Sequence, residues 1–266
     1  MRVDERMHAE PRMVGVDTPL PEAGGLMVRG RIRHLPVVDA YGALQGILTD
    51  HAVFRRGAFL DGDRGWMAHE PRYDACTAGS EAVPVDVLAS PDAPLHGVLL
   101  QLASTRQDAV VVVDATRRPL GVLTEHDIVL HALDHVPADV LALDWGTAPV
   151  LTAERRDKAA ATLSRMLEEG GRHRVVTNPD GSLFGLVSLR DLVADDAARR
   201  PELTIEAVVR SERPHTLPVG ATLRDAITLM KAKRIGCVPL VDGLEVVAVV
   251  TRRDVMRAVA TGLGGA

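Results

Sequence analysis

Three hydroxyl–carboxylate pairs recur in this chain at one spacing: Thr124 with Asp127, Ser188 with Asp191, and Thr251 with Asp254. A hydroxyl followed three residues later by an acid suits a helix start, where the hydroxyl caps a backbone N–H and the acid reaches back. The same pair suits a ligand, because a helix N-terminus also favours a bound anion. The two roles are compatible, and the residues alone leave both open. Basic residues stand close by. His173 and Arg174 open an apolar run, Arg252 and Arg253 lie between Thr251 and Asp254, and Arg33 with His34 hold the analogous place earlier. An arginine fork matches a phosphate in shape. Solvated charge at a strand start or in a first helical turn accounts for the same residues with no ligand.

Other chemistry is thin. His131 and His135 are four apart, with Asp127 one turn earlier, but no fourth metal ligand accompanies them. Cys76 and Cys237 are far apart, which excludes a disulfide framework and points to a reducing, cytoplasmic setting. Cys237 sits inside an apolar run and reads as a small buried hydrophobe. No Ser-His-Asp order, paired-carboxylate motif, dinucleotide fingerprint or phosphate loop is present, so the chain reads as a non-enzyme with no required cofactor. A net charge of -5 and 3% aromatic residues argue against nucleic acid as a partner. No apolar run reaches the length of a membrane span, and the N-terminus has no signal-type core.

The elements that must position these residues form a repeat. Four segments align: RHLPVVDAYGALQGILTDHAV from Arg33, DAVVVVDATRRPLGVLTEHDI from Asp108, HRVVTNPDGSLFGLVSLRDLV from His173, and GCVPLVDGLEVVAVVTRRDVM from Gly236. Each reads as an apolar strand, a turn, a second apolar strand ending in Thr or Ser, and a helix. Turn chemistry is explicit at Tyr41-Gly42, Asn178-Pro179-Asp180-Gly181 and Asp242-Gly243. A helix precedes each hairpin, and in the fourth copy Leu223, Ala226, Ile227 and Met230 share one face. The intervals Met27 to Thr49, Leu102 to Thr124, Met166 to Ser188 and Met230 to Thr251 agree to within one residue. Short strands are expected before the helices, at 13–16, 85–88, 149–151 and 215–217.

The fold class is therefore α/β (α+β by some schemes), with four βαββα units at 1–57, 70–135, 140–197 and 201–260. Residues 57–72 read as an irregular insert, and a polar break falls near 195–202. One unit is too small to bury its own faces. Units one and two should pair as 1–135 and units three and four as 140–260, each pair about a pseudo-twofold axis with two symmetric clefts.

The pattern of an hPVVD-type strand, a glycine and a closing [ST]-x-x-D resembles the CBS domain, whose pairs are called Bateman modules. It stands here as Leu35-Pro36-Val37-Val38-Asp39, as Gly121 to Asp127, as Gly185 to Asp191, and as Val238 to Asp242 with Thr251 to Asp254. Four in a row are similar in architecture to the γ subunit of AMP-activated protein kinase. The resemblance implies an adenosine site in each cleft. Asp127, Asp191 and Asp254 would hold the ribose hydroxyls, with Thr124, Ser188 and Thr251 on ribose or phosphate. Strand residues such as Val238 and Pro239 would flank the base, and His173, Arg174, Arg252 and Arg253 would reach the phosphates. Two departures stand out: Ala52 replaces the acid in the first repeat, and Ala248 the glycine in the fourth. The implied function is a non-catalytic regulatory sensor whose ligand is an adenine nucleotide (AMP, ADP, ATP or a related adenosyl compound) and which acts on an unidentified protein. A ligand-free interaction or dimerisation scaffold is the alternative. The resemblance also implies helix-mediated pairing, as a homodimer or within one chain.

Overall fold

The computed structural model describes residues 1–56, 76–195, 197, 200–209 and 214–262, and the backbone alone of 59–61 and 65–67. Along the chain run β1 (His8–Ala9), β2 (Val14–Gly15), α1 (Leu20–Gly30), β3 (His34–Val38), β4 (Leu44–Thr49) and α2 (Asp50–Arg55). Next come β5 (Phe59–Asp61), β6 (Gly65–Met67), α3 (Ala78–Glu81), β7 (Leu88–Ala89), α4 (Leu95–Ser104), β8 (Ala109–Val113), β9 (Pro119–Thr124) and α5 (Glu125–His131). The second half contains β10 (Thr152–Glu154), α6 (Ala159–Glu169), β11 (His173–Thr177), β12 (Leu183–Ser188), α7 (Leu189–Ala194) and α8 (Ile205–Val208). It ends with β13 (Leu217–Pro218), α9 (Leu223–Lys233), β14 (Cys237–Asp242), β15 (Glu245–Thr251) and α10 (Arg252–Gly262).

Four times a short strand runs parallel to the first arm of an antiparallel hairpin: β2 on β3, β7 on β8, β10 on β11, β13 on β14. The expected mixed α/β repeat is thus present. All four hairpins carry a register shift at the same place, between Val37 and Val38, Val112 and Val113, Val176 and Thr177, and Leu240 and Val241. The turn glycines Gly42, Gly181 and Gly243 adopt positive φ, which only glycine enters at no steric cost. Gly170, with φ of 75°, closes α6 as its position after Met166 and Leu167 predicts. The pre-helix strands are offset from expectation in the second, third and fourth repeats, at 88–89, 152–154 and 217–218 rather than 85–88, 149–151 and 215–217. Val87 goes into the core instead of a ladder. The 57–72 insert, read as irregular, contains a small hairpin of β5 and β6. Part of the 195–202 break, and most of that insert, lie outside the described residues.

In the first module the apolar runs are continuous because each hairpin separates two cores. In β8, Val110 and Val112 face the helices, whereas Ala109 and Val111 meet Leu44 and Ile47 of the first repeat. Alternation along a strand sends neighbours to opposite faces, so both faces demand apolar side chains. The helical cores run across the two halves of the chain. One joins repeat two (Leu99, Leu102, Val129) to repeat four (Met230, Val255, Met256). The other joins repeat one (Leu20, Met27, Val53) to repeat three (Leu163, Met166, Leu192). The modules therefore pair within one chain.

Each module exchanges its leading segments. Residues 1–9 lie on the second repeat, with β1 against β9 and the Val3 N–H donating to the Ala93 carbonyl at 3.0 Å. In return, 76–83 lie on the first repeat, where the Ala78 N–H donates to the Thr18 carbonyl at 2.8 Å. In the second module Thr147 bridges Val249, and Thr204 bridges Lys158. The motif glycine marks this contact. A Cβ on Gly46 would lie 2.9 Å from the Val83 carbonyl oxygen, and one on Gly121 would lie 3.1 Å from that of His8. Ala248 stands at this position in the fourth repeat, and there the residue opposite it is Gly146, whose added Cβ would lie 3.2 Å from the Ala248 Cβ. The departure is compensated across the contact. Gly46→Ala should accordingly cost about 1–3 kcal/mol of overpacking. Urea denaturation should show a lower midpoint with an unchanged slope.

Candidate functional site

The register of each hairpin puts its closing hydroxyl opposite its first residue: Thr49 opposite His34, Thr124 opposite Ala109, Ser188 opposite His173, and Thr251 opposite Cys237. The residue just before each hairpin is Arg33, Asp108, Arg172 or Gly236. These positions meet at the junction of the four repeats, and two cavities open there.

The outer one, about 570 Å³, lies between repeats three and four. Ser188 and Asp191 line one part, with Leu186 and Ile235 as apolar wall and Arg33 and Arg252 at the inner end. The central one, about 580 Å³, takes Thr49 from repeat one, Arg106 and Glu125 from repeat two, His173 from repeat three and Thr251 from repeat four. Both fall within the range of about 300–1,000 Å³ usual for small-ligand sites.

The hydroxyl–acid pairs are helix caps in fact. Asp127 Oδ2 accepts from the Thr124 N–H at 2.8 Å and hydroxyl at 2.7 Å. Asp191 Oδ2 accepts from Ser188 at 2.9 and 2.5 Å, and Asp254 Oδ2 from Thr251 at 2.8 and 2.6 Å. The cap uses one carboxylate oxygen. What happens at the rest of the group differs between repeats. Asp191 is half-buried and faces the outer cavity. Asp254 is only 2% exposed, and its Oδ1 meets the Thr147 hydroxyl at 3.4 Å and Arg257 at 3.7 Å. Burial raises its carboxyl above the usual range, against the opposing bonds from Thr251. Asp127 is half-buried and lines neither cavity. In the first repeat Thr49 still accepts from the Ala52 N–H at 3.2 Å, but Ala52 is core.

The basic residues separate by strand alternation. His173 lines both cavities, whereas Arg174, one residue on, points to the opposite face. Arg174 is buried and ion-paired with Glu169, and it lines neither cavity. His173 is pushed down to about 4 by burial and then by the charges of Arg33, Arg172 and Arg252. Its ring is neutral near pH 7. Arg252 lines both cavities, and its Nε is buried without a partner. Arg253 reaches the central cavity but donates to the carbonyls of Gln107 (3.2 Å) and Thr105, and pairs with Glu125 at 3.6 Å. Val238 and Pro239 are buried, Val238 in the helical core, and neither lines a cavity. Their neighbour Cys237 lines both cavities, and its thiol is pushed up to about 12 by burial. α5 ends at His131 and a 3-10 turn follows, so His135 does not continue its face. Among the described residues no group of three or more His, Cys, Asp or Glu could hold a metal ion.

Several groups at the centre lack any local motif. Arg172 donates to Asp50 at 3.0 Å and to Asp108 at 3.1 Å, and Asp108 also bonds His34 at 2.7 Å. Burial alone would raise the Asp108 carboxyl. His34, Arg172 and Arg33 override it and hold it well below the carboxylate range. Arg33 is lowered to about 10 by burial and then by Arg172. Among the described residues neither the Arg33 nor the Arg252 side chain has a hydrogen bond or ion pair, although Asp50 acts on the first charge and Glu125 on the second. Two guanidiniums close to each other, withdrawn from bulk water and without a contacting carboxylate favour an anion.

Glu125 is raised to about 7 by burial and then by Asp108, against the pull of Arg253. A carboxyl raised in the folded state carries no penalty below the ordinary value near 4.5. The penalty grows as pH rises and is complete above about 7. Glu125→Gln should therefore stabilise the fold by about 1–3 kcal/mol at pH 8 and by almost nothing at pH 4.5. Urea titrations at the two pH values check the sign.

A family model described as the CBS domain matches residues 3–58, 83–134, 142–197 and 205–261. Uncharacterized protein MJ1404 of Methanocaldococcus jannaschii is 23% identical over 273 residues, which cover 97% of this chain and 62% of the relative. The chain thus spans about three fifths of that protein. A 33.4 kDa protein encoded in the ribosomal RNA operon of Thermofilum pendens is 26% identical over 251 residues, covering 86% and 81%. Among solved structures, protein MJ1225 of M. jannaschii superposes with a TM-score of 0.81 at 20% identity, over 97% of this chain and 99% of its own. A conserved protein of Pyrococcus horikoshii gives 0.71 at 18%, over 97% and 100%. At such identities the likeness is one of fold. With four matches along most of its length, the chain belongs to the CBS-domain family, as four tandem repeats paired into two Bateman modules.

Proposed function

We propose that this protein is a non-catalytic sensor that binds an adenine nucleotide in the outer cavity at Asp191. One observation carries the reading: a capped carboxylate, an apolar wall and two unpaired arginines share a single cleft of suitable size. Asp191 and Ser188 are the groups for the ribose, Leu186 and Ile235 for the base, and Arg33 and Arg252 for phosphate. Family membership supports a small-molecule ligand of adenosyl type. MJ1225, which shares the fold, has been put forward as an archaeal homologue of g-AMPK.

Arg33 comes from the first module and Asp191 from the second, so a bound nucleotide touches both. A ligand that prefers one arrangement of the modules shifts their equilibrium, and a partner protein reading that arrangement is switched by linkage. Among the described residues no helix is long and apolar enough to cross a membrane, and the two free cysteines suit a reducing cytoplasm.

The degenerate-scaffold alternative draws on Ala52 and the occluded Asp254. Calorimetry with AMP, ADP, ATP and S-adenosylmethionine separates the two readings. At least one phosphorylated member should bind with stoichiometry near one. Asp191→Asn should weaken it about tenfold or more, and Asp254→Asn should leave affinity within about twofold, since that side chain does not reach a cavity. Absence of heat and of any thermal shift across the panel would leave the scaffold reading standing.

A further inference from the structure

We propose that Glu125 is a proton-operated catch between the two modules, which releases one end of their contact when the carboxyl gives up its proton. The inference does not depend on the nucleotide reading of the Asp191 cleft. It makes the arrangement of the modules respond to pH.

Glu125 opens α5 in the second repeat, one residue after Thr124, and lines the central cavity with its side chain 18% exposed. The cation facing it, Arg253, belongs to α10 of the fourth repeat, so the pair spans the module boundary. Their separation of 3.6 Å is too long for a hydrogen bond. Arg253 directs its N–H groups instead to the carbonyls of Thr105 and Gln107. Among the described residues no donor reaches the Glu125 carboxylate. A carboxyl withdrawn from water with nothing to donate to it favours its neutral form.

The far end of the same helix is tied down. Arg224 of α9 donates to the Leu133 and Val136 carbonyls at 2.6 and 2.8 Å, and Lys231 to that of Leu130 at 2.8 Å. These bonds also cross from the second module to the first, and they satisfy carbonyls at and just beyond the end of α5. The contact thus has a pivot at the C-terminal end of α5 and a titratable group at its N-terminal end.

The charges around Glu125 come from all four repeats. Asp108 opposes its ionisation, Arg253, Arg172 and Arg33 favour it, and Arg252 feels its charge in turn. Arg106, His51, Glu169 and His173 complete the ionisable lining together with the Cys237 thiol. Burial, then Asp108, prevails over the arginines and lifts the Glu125 carboxyl to about 7. Burial holds His173 near 4 and His51 below its ordinary value, so both rings are neutral there, and it lifts the thiol to about 12. Proton loss from Glu125 therefore changes the charge at the boundary close to neutral pH.

The direction follows from linkage. A solvated glutamate titrates near 4.5, so the closed contact binds the proton more tightly than an open one. Closure is unimpaired below about 4.5 and weakens progressively until pH exceeds about 7. The gap between the two values corresponds to about a tenfold rise in the open-to-closed ratio from pH 6 to 8.5. A partner protein that reads the arrangement then receives a proton signal as well.

Cys237 serves as the reporter, because it lines both cavities and is only 3% exposed. Alkylation of Cys237 by iodoacetamide is followed in the whole chain, peptide by peptide to separate it from Cys76, for the wild type and Glu125→Gln. The ratio of the two rates at each pH cancels the thiol's own ionisation. That ratio should climb about tenfold from pH 6 to 8.5 and level off above about 7. The climb should depend only weakly on low urea, since the Arg224 end stays docked. A ratio flat with pH overturns the catch. A climb that carries the full urea slope of global unfolding overturns it too, because Glu125 then acts on the whole fold and not on the contact between modules.

Discussion

The guanidinium of Arg172 holds the centre of the molecule together electrically. It starts in the third repeat and donates to Asp50 of the first and Asp108 of the second, which ties both modules to one charge. Asp50 is fully buried, and an ionised carboxylate there is tolerable only with such a partner. Burial alone would lower the Arg172 group, but the two carboxylates outweigh it and raise it. Such a lattice contributes little net stability, because desolvation offsets much of the attraction. Its consequence is specificity. With both acids and Arg172 committed to each other, neither the Arg33 nor the Arg252 side chain makes an ion pair among the described residues, and the junction keeps a demand for negative charge.

Capping and ligand binding turn out to share side chains. Each acid of the Thr or Ser pair uses Oδ2 on its own helix start, with near-identical distances in three repeats. The cap is needed to start a short helix of six or seven residues such as α5 or α7. Whether the carboxylate also serves a ligand depends on its outer surroundings. Thr147 and Arg257 close over Asp254, whereas Asp191 lines the outer cavity. Identical motifs therefore stand at sites with different prospects.

Much of the architecture was legible beforehand from particular residues. The constant interval from Met27, Leu102, Met166 and Met230 to the closing hydroxyl carried the repeat, and Gly42, Gly181 and Gly243 carried the turns. The site was legible in part. Ser188, Asp191, His173 and Arg252 line the outer cavity, whereas Arg174, Val238, Pro239 and Asp254 do not. Adjacent strand residues face opposite sides, and the resemblance did not state which of His173 and Arg174 looks inward. Arg172, Asp50, Asp108, Glu125 and Arg106 carried no motif. The signal that could have found all but Arg106 is position: Arg172, Asp50, Asp108 and Glu125 each adjoin a hairpin start or a closing hydroxyl.

Local order was determined by the amino-acid sequence itself. Turn glycines, the three-residue cap spacing and apolar periodicity act between near neighbours, where backbone sterics and short-range hydrogen bonds decide the outcome. The exchange of leading segments, the pairing of repeat one with three and two with four, and the choice of which arginines stay unpaired belong to the tertiary structure. Arg172 and Asp50 are 122 residues apart, and no local rule relates them. Only when four hairpin starts are brought to one point does their summed charge exist, and that sum is what the cavities present to a ligand.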